Sequence, residues 1–136
     1  MLFEYELTVP ANTLASAPAR LDMPLARGII HQVTIDYRAG ARHMVNVIIR
    51  RALHQVSPAN PDGWHKSDFF PIAYNTFEPL EEPPYKLEAY GWSPGTTYDH
   101  TVTIRIAVSP REVLVPPNPE AGILSRIGQL IFGGRG

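Results

Sequence analysis

The feature that most constrains the fold of this chain is an alternation of apolar and polar residues that recurs between residues 3 and 108. A period of two indicates β-strands with one buried face, because successive side chains of a strand point to opposite faces of the sheet. The longest alternating series consists of Tyr98, His100, Val102, Ile104, Ile106 and Val108. The chain is therefore predicted to consist mainly of strands.

Proline content supports the same interpretation. The 136 residues include 14 prolines, about twice the usual share, which disfavours long helices. Alternating runs cover residues 3–9, 21–25, 29–37, 45–49, 85–90 and 98–108. Residues 57–64 are expected to form a loop. Residues 68–74 are expected to form only an edge or broken strand, because Pro71 cannot donate a backbone hydrogen bond to a neighbouring strand. Seven or eight strands at intervals of about 8 to 15 residues predict an all-β fold, an antiparallel β-sandwich or barrel, over residues 1–109. A jelly roll is the favoured version, but the number of strands does not separate it from an immunoglobulin-like topology.

The net charge of −1 conceals a segregation along the chain. Residues 20–56 contain six arginines and two aspartates, a net +4, whereas residues 57–100 contain two lysines and seven acidic residues, a net −5. Either successive strands neutralise one another within the domain, or a basic face of one copy meets an acidic face of the next in a ring or lattice. Nucleic acid is not expected as a partner, because phosphate binding requires a net basic surface.

Targeting and membrane signals are not expected in this sequence. The segment MLFEYELTV contains two acids and no basic residue, unlike a secretion signal, and no stretch approaches the ~20 apolar residues needed to span a bilayer. The chain has no cysteine, so no disulfide or thiolate metal site is available. A protein made in the cytoplasm, without a membrane partner, is predicted.

The five histidines do not have the spacing of a metal site. A His-x-His pair, as expected along a strand of a cupin-like site, is absent from the sequence. His31 and His100 fall in the apolar register of their strands, where a hydrogen-bonded histidine of the core is the commoner role. We therefore predict no metal site and no cofactor.

Catalytic motifs are also missing from the sequence. No Gly-x-Ser-x-Gly motif occurs, no cysteine is present, and no glycine-rich loop precedes a helix. Glu81 and Glu82 lie among prolines, which indicates a solvated acidic loop rather than a cleft. We predict that the protein is not an enzyme and has no catalytic residues.

One loop has the composition of a recognition site. The segment HQVSPANPDGWHKSDFF combines Trp64 with His54, Asn60, Asp62 and His65, a mixture of aromatic and polar residues that can bind a partner. A tryptophan beside a tight turn is equally often a hydrophobic lid over the end of a sandwich. Both roles remain open for Trp64.

The C-terminal segment is predicted to bind a partner. Four prolines between residues 110 and 119 favour an extended linker, and residues 120–136 form an arm with a short amphipathic helix. The apolar face of that helix consists of Ile123, Leu124, Ile127, Leu130 and Ile131. A helix this short is marginal in water, so its apolar face needs a surface to cover it. That surface is the chain's own sandwich, the same arm in neighbouring copies, or another protein.

The order of the segments FEYELTVPANT, GIIHQVTIDY, HQVSPANPDGW and LEAYGWSPGTTYDHTVTIRIAV resembles small β-sandwich structural proteins of tailed bacteriophages, which decorate or cement a capsid. The resemblance covers most of residues 1–110. It implies a trimeric jelly roll that sits on the shell of the virion and holds neighbouring capsomers through a terminal arm. Residues 120–136 would then be the arm, and a capsid or other assembly protein the partner.

Two other functions remain open at this point. The first is a carbohydrate- or ligand-binding β-sandwich module that uses Trp64, Trp92, Tyr90 and Tyr98 as stacking platforms. The second is a cupin-type metalloenzyme, which would require a bound metal ion.

Overall fold

The computed structural model of the protein describes residues 1–114, which form eight β-strands and one short helix. The elements are β1 (Leu2–Val9), β2 (Ala19–Pro24), β3 (Gly28–Tyr37), β4 (Asn46–Arg51), β5 (His54–Ser57), β6 (Ile72–Leu80), β7 (Lys86–Trp92), β8 (His100–Ser109) and α1 (Arg111–Leu114). The predicted arm, with Ile123, Leu124, Ile127, Leu130 and Ile131, lies outside the described residues, as does the 115–119 part of the predicted linker.

The strands form two four-stranded sheets. Sheet A has the strand order β1-β8-β3-β6, sheet B has the order β2-β7-β4-β5, and all neighbouring strands are antiparallel. Apart from the β4–β5 hairpin, each pair of consecutive strands is divided between the two sheets. The prediction of an all-β antiparallel sandwich is confirmed.

One hydrophobic core fills the space between the two sheets. Val102, Ile104 and Ile106 of β8 are fully buried in it, and Val47 and Ile49 of β4 line it from sheet B. Each of these series repeats every second residue, so the core follows directly from the alternation in the sequence. Burial of one such side chain contributes about 1.5–3 kcal/mol.

The predicted register of β3 is wrong at His31. A β-bulge lies between Ile30 and Gln32, where the pairing with both neighbouring strands shifts. Ile30 belongs to the core before the bulge, and Val33 and Ile35 belong to it afterwards. Because the bulge adds one residue, His31 is half-buried outside the core row, and its Nε2 lies 3.1 Å from Ser109 Oγ. His31 is hydrogen-bonded, as predicted, but it lies outside the core and not within it.

Strand β6 lies at the edge of sheet A, as the proline predicted. It begins at Ile72, directly after Pro71, and continues to Leu80 through Pro79. The predicted acidic loop, with Glu81 and Glu82, follows this strand directly.

Residues 111–114 differ from the extended linker predicted for 110–119. They form one helical turn, in which Arg111 Nη2 lies 2.6 Å from Glu81 Oε1 and the guanidinium lies 5.7 Å from the centroid of the Phe77 ring. These two contacts hold the turn against the edge of sheet A. The extended conformation is thus wrong for these four residues.

Opposite charges of the two segregated segments meet within the domain. Arg20 lies 3.5 Å from Glu88, and Lys86 lies 3.9 Å from Asp22, across the β2–β7 pairing. Arg27 and Arg51 donate to the backbone carbonyls of Glu81 and Glu82. For these residues the structure favours neutralisation within the domain over pairing between copies.

Close contact between β7 and β1 leads to the first prediction. A Cβ atom at Gly91 would lie 2.6 Å from Val9 Cγ2 and 2.9 Å from Leu7 Cδ2. Gly91→Ala should therefore overpack the core and destabilise the fold by about 1–3 kcal/mol, measured as the free energy of urea unfolding. Ala73→Val adds volume at an exposed position of β6, and should change that free energy by less than about 0.5 kcal/mol. Equal stability of Gly91→Ala and the wild type would contradict this packing.

Candidate interaction surface

Four loops meet at one end of the sandwich, which we call the four-loop end. They comprise residues 10–18, 38–45, 58–71 and 93–99, which follow β1, β3, β5 and β7. They converge because strands of alternating direction bring every second connection to the same end. Ordered loops at the end of a rigid sandwich are a common location for binding surfaces.

Hydrogen bonds connect all four loops. The Ser93 amide donates to the Thr13 carbonyl at 2.8 Å, which joins loops 93–99 and 10–18. Tyr98 Oη donates to the Gly40 carbonyl at 3.3 Å, and the Gly40 amide donates to Asp68 Oδ1 at 3.0 Å. Gly40 thus links loop 38–45 to both loop 93–99 and loop 58–71. The four-loop end is held as one unit.

Large apolar side chains concentrate at the four-loop end. Of the eleven exposed large hydrophobic residues in the described part of the chain, six lie in its loops: Leu14, Met44, Trp64, Phe69, Phe70 and Tyr98. Trp64 is 50% exposed, Phe69 62% and Phe70 73%. Clustered exposure of aromatic residues marks interaction sites more than scattered exposure does.

Phe69 and Phe70 are held outward by the backbone around them. Phe69 has a φ of 70°, in the left-handed region that is unfavourable for a bulky residue. The Phe70 amide donates to the Asp68 carbonyl at 2.8 Å, and Ser67 Oγ donates to the Phe70 carbonyl at 2.7 Å. The two rings meet edge to face with centroids 6.1 Å apart. A strained residue that exposes an aromatic ring supports a functional role for this tip.

A buried polar cluster holds the base of loop 58–71. The His65 backbone exchanges two 2.9 Å hydrogen bonds with Val47 of β4, and Tyr37 Oη donates to the His65 carbonyl at 2.8 Å. Ser57 Oγ lies 2.8 Å from His65 Nε2 and is hydrogen-bonded to Tyr74 Oη, whose ring stacks on the imidazole. His65 therefore connects strands β4 and β5 of sheet B to strands β3 and β6 of sheet A.

The cluster fixes the loop from inside the domain. Ser57 is fully buried, and the described residues place no carboxylate in hydrogen-bond contact with His65. Burial lowers the pKa of His65 from its ordinary value near 6.5 and raises the pKa of Tyr74. The Ser57 hydroxyl thus bridges the His65 imidazole and the Tyr74 hydroxyl, and these hydrogen bonds fix the base of the loop.

Gln55 positions Trp64. Its side-chain amide donates to the carbonyls of Pro58, Asn60 and Gly63 at 2.9–3.0 Å, which closes the turn before Trp64. The Trp64 ring then lies edge to face with Trp92 of β7, with centroids 6.1 Å apart. Trp64 covers Trp92 and remains half exposed, so this geometry is compatible with both the lid and the partner-binding role.

The four predicted stacking residues do not form one platform. Trp64 and Trp92 are adjacent, but Tyr90 is flanked by the guanidinium groups of Arg20 and Arg50 at 5.9 and 5.8 Å from its ring centroid. Tyr98 instead packs on His100, with centroids 4.5 Å apart, in another loop. Among these four residues, Trp64 and Trp92 are the adjacent pair.

The histidines are dispersed over the domain. Within residues 1–114, no group of three or more histidine and acidic side chains is arranged to hold a metal ion. His31 and His65 each contact a serine hydroxyl, whereas His43 and His54 are exposed. Among the described residues there is likewise no helix long and apolar enough to cross a membrane.

A concave feature of the four-loop end was not predicted from the sequence. Loops 38–45 and 93–99 enclose a depression of about 220 Å³. Its lining residues are Gly40, Arg42, Met44, Gly95, Thr96, Thr97, Tyr98 and His100. Phe69 and Phe70 were also missed, since they were assigned to a broken strand before Pro71.

Comparisons with known proteins provide only distant structural similarity. No protein-family profile and no curated protein sequence matches the chain. Among solved structures, the chain is similar to FLHE, with 12% sequence identity, 78% of this chain and 94% of that chain covered, and a TM-score of 0.40. It is also similar to the Yersinia pseudotuberculosis-derived mitogen, with 8% identity, 80% and 86% coverage, and a TM-score of 0.37.

Acid should weaken the fold through His65. The folded state resists protonation of this imidazole, because burial lowers its pKa, whereas the unfolded chain binds the proton near pH 6.5. The unfolded state therefore takes up more protons as the pH falls below about 6.5, and the free energy of unfolding decreases. We expect His65→Gln to flatten this dependence in urea unfolding measured between pH 8 and pH 5.

His54→Gln is the matched control, because the His54 side chain is exposed. It should retain the wild-type slope of unfolding free energy against pH. Equal slopes for His65→Gln and the wild type would show that His65 does not carry the effect.

Proposed function

We propose that the protein is a non-enzymatic assembly protein with a jelly-roll fold, a decoration or other structural component of a bacteriophage virion. The strand orders β1-β8-β3-β6 and β2-β7-β4-β5 support the jelly roll. Eight strands that alternate between two sheets, with the first strand paired to the last, are the arrangement of capsid-type jelly rolls. The resemblance of the sequence to phage decoration proteins agrees with this assignment.

The observation that carries the proposal is the cluster of exposed aromatic residues at the four-loop end. Trp64, Phe69 and Phe70 are held by hydrogen-bonded loops and the buried His65 cluster. Aromatic side chains presented on a rigid support are typical of residues that dominate protein interfaces, because little conformational entropy is lost when they bind. This surface supports self-association, with a trimer favoured.

The chain course supports a second attachment point. Strand β8 starts at the four-loop end with His100 and runs ten residues away from it to Ser109, a distance of about 33 Å. The described chain then turns over the edge of sheet A and stops at Leu114. The described chain thus ends away from the four-loop end, and in this proposal the arm engages a capsid protein while the four-loop end contacts other copies.

A second candidate function is a carbohydrate-binding module. The adjacency of Trp64 and Trp92 favours it, since two neighbouring indole rings can stack on a sugar. The separation of Tyr90 and Tyr98 from this pair reduces the platform to two residues. The assembly function therefore accounts for more of the exposed aromatic surface.

Self-association through the four-loop end can be measured directly. The double variant Phe69→Ser/Phe70→Ser should weaken oligomerisation about tenfold or more in sedimentation equilibrium, because it removes two exposed rings from the proposed interface. Leu53→Ser is the control, since Leu53 is 96% exposed between β4 and β5, outside the four loops. If the control weakens association as much as the double variant does, the interface lies elsewhere.

Removal of residues 116–136 tests the role of the arm. We expect the shortened chain to keep the urea unfolding midpoint of the full chain, because both sheets are complete within residues 1–114. The full chain should co-sediment with capsid-sized particles when it is expressed together with the genes that flank its own, and the shortened chain should remain soluble. Co-sedimentation of both chains, or a lack of such particles, would contradict the proposal.

A further inference from the structure

The depression between loops 38–45 and 93–99 has the features of a ligand site that does not involve Trp64, Phe69 or Phe70. Thr97, Tyr98 and His100 line one side, and Arg42 and Met44 line the other. Its volume of about 220 Å³ is below the usual range for drug-sized ligands. A small group, or one end of a larger molecule, fits a space of this size.

His100 is the first sign that the depression is a ligand site. Its side chain is only 8% exposed, and its ring makes no hydrogen bond to any of residues 1–114, although it lines the depression. His31 and His65, by contrast, each contact a serine hydroxyl. The ring borders the concave space and has no hydrogen-bond partner among residues 1–114, so its nitrogens are available to a bound ligand.

Arg42 is the second sign. Arg42 is exposed, and within the described chain its guanidinium has neither a hydrogen bond nor an ion pair, so it is free to bind an anion; Arg38, by contrast, pairs with Glu6, and Arg105 pairs with Glu4 and Asp36. Arg42 and His43 also have φ values of 50° and 59°. Two consecutive non-glycine residues in the left-handed region are strained, and such strain clusters at functional sites.

The walls of the depression are fixed before any ligand binds. A Cβ atom at Gly40 would lie 2.8 Å from Tyr98 Oη, and the φ of Gly40 is 98°, so a side chain there would both clash and strain the loop. Thr96 Oγ1 donates to the Ser93 carbonyl at 2.8 Å and accepts from the Asn12 amide at 2.9 Å. A site with fixed walls loses little entropy on binding.

We propose that this depression binds an oxyanion, a carboxylate or phosphate group carried by a small molecule. The Arg42 guanidinium would form charge-assisted hydrogen bonds with the anion, and the His100 imidazole and Thr97 hydroxyl would provide further polar contacts. The inference is independent of the assembly function, because it uses neither the exposed phenylalanines nor the arm.

The experiment follows the amide resonances of loops 38–45 and 93–99 in the full chain. Sodium phosphate and sodium acetate are titrated separately at constant ionic strength, with chloride as the balancing anion. We expect saturable shifts confined to these two loops. Saturation by phosphate alone assigns the site to phosphate groups, and saturation by acetate assigns it to carboxylates. The proposal is overturned if neither anion saturates the shifts.

Variants then test which side chains bind the anion. Arg42→Gly should weaken binding about tenfold or more, while the urea unfolding midpoint stays equal or rises, because glycine tolerates a positive φ. Thr97→Val should weaken binding by a smaller factor. Arg38→Ala is the matched control, since Arg38 lies in the same loop but pairs with Glu6 outside the depression. Unchanged affinity in Arg42→Gly, or an equal loss in Arg38→Ala, would overturn the site.

Discussion

The pairing of β8 with both β1 and β3 is the interaction on which the rest of the structure depends. β8 forms antiparallel pairs along the whole of β1 and most of β3, so it connects the edge strand β1 to the inner strand β3 of sheet A. Its inward residues Val102, Ile104 and Ile106 are fully buried at the centre of the core. Because the register of β8 is fixed on both sides, loop 93–99 and helix α1 are placed at opposite ends of the sandwich. The positions of the candidate sites therefore depend on this strand.

Much of the fold could be predicted from the sequence, because alternation reports burial directly. It located β1, β3 and β8, and Pro71 predicted that the next strand lies at an edge. It failed at His31, because Ile29 and Ile30 are both apolar, so the pattern does not show which of them belongs to the core row before the bulge between Ile30 and Gln32. It also failed at α1, whose contacts with Glu81 and Phe77 come from a distant part of the chain.

The sites were less predictable than the strands. Trp64 was singled out because a tryptophan beside a turn is unusual in itself, but Phe69 and Phe70 have the composition of a strand, and only the positive φ of Phe69 turns them outward. The depression was missed for a different reason. Arg42 and His100 are far apart in sequence, and each is ordinary until the topology brings their loops together. Side chains that matter only as a pair cannot be identified by local pattern.

The segment between Ser57 and His65 has a consequence for how this protein can diversify. Ser57 pairs with Ile49, and His65 pairs with Val47, so both ends of the segment are attached to neighbouring inward positions of one strand. The seven intervening residues leave the sheet and return to it without changing the register of β4. Changes of length or sequence in this excursion would therefore leave the pairing of sheet B intact, as long as the buried Gln55 amide keeps its acceptors and Trp92 stays covered. New recognition properties can arise there on an unchanged pair of sheets.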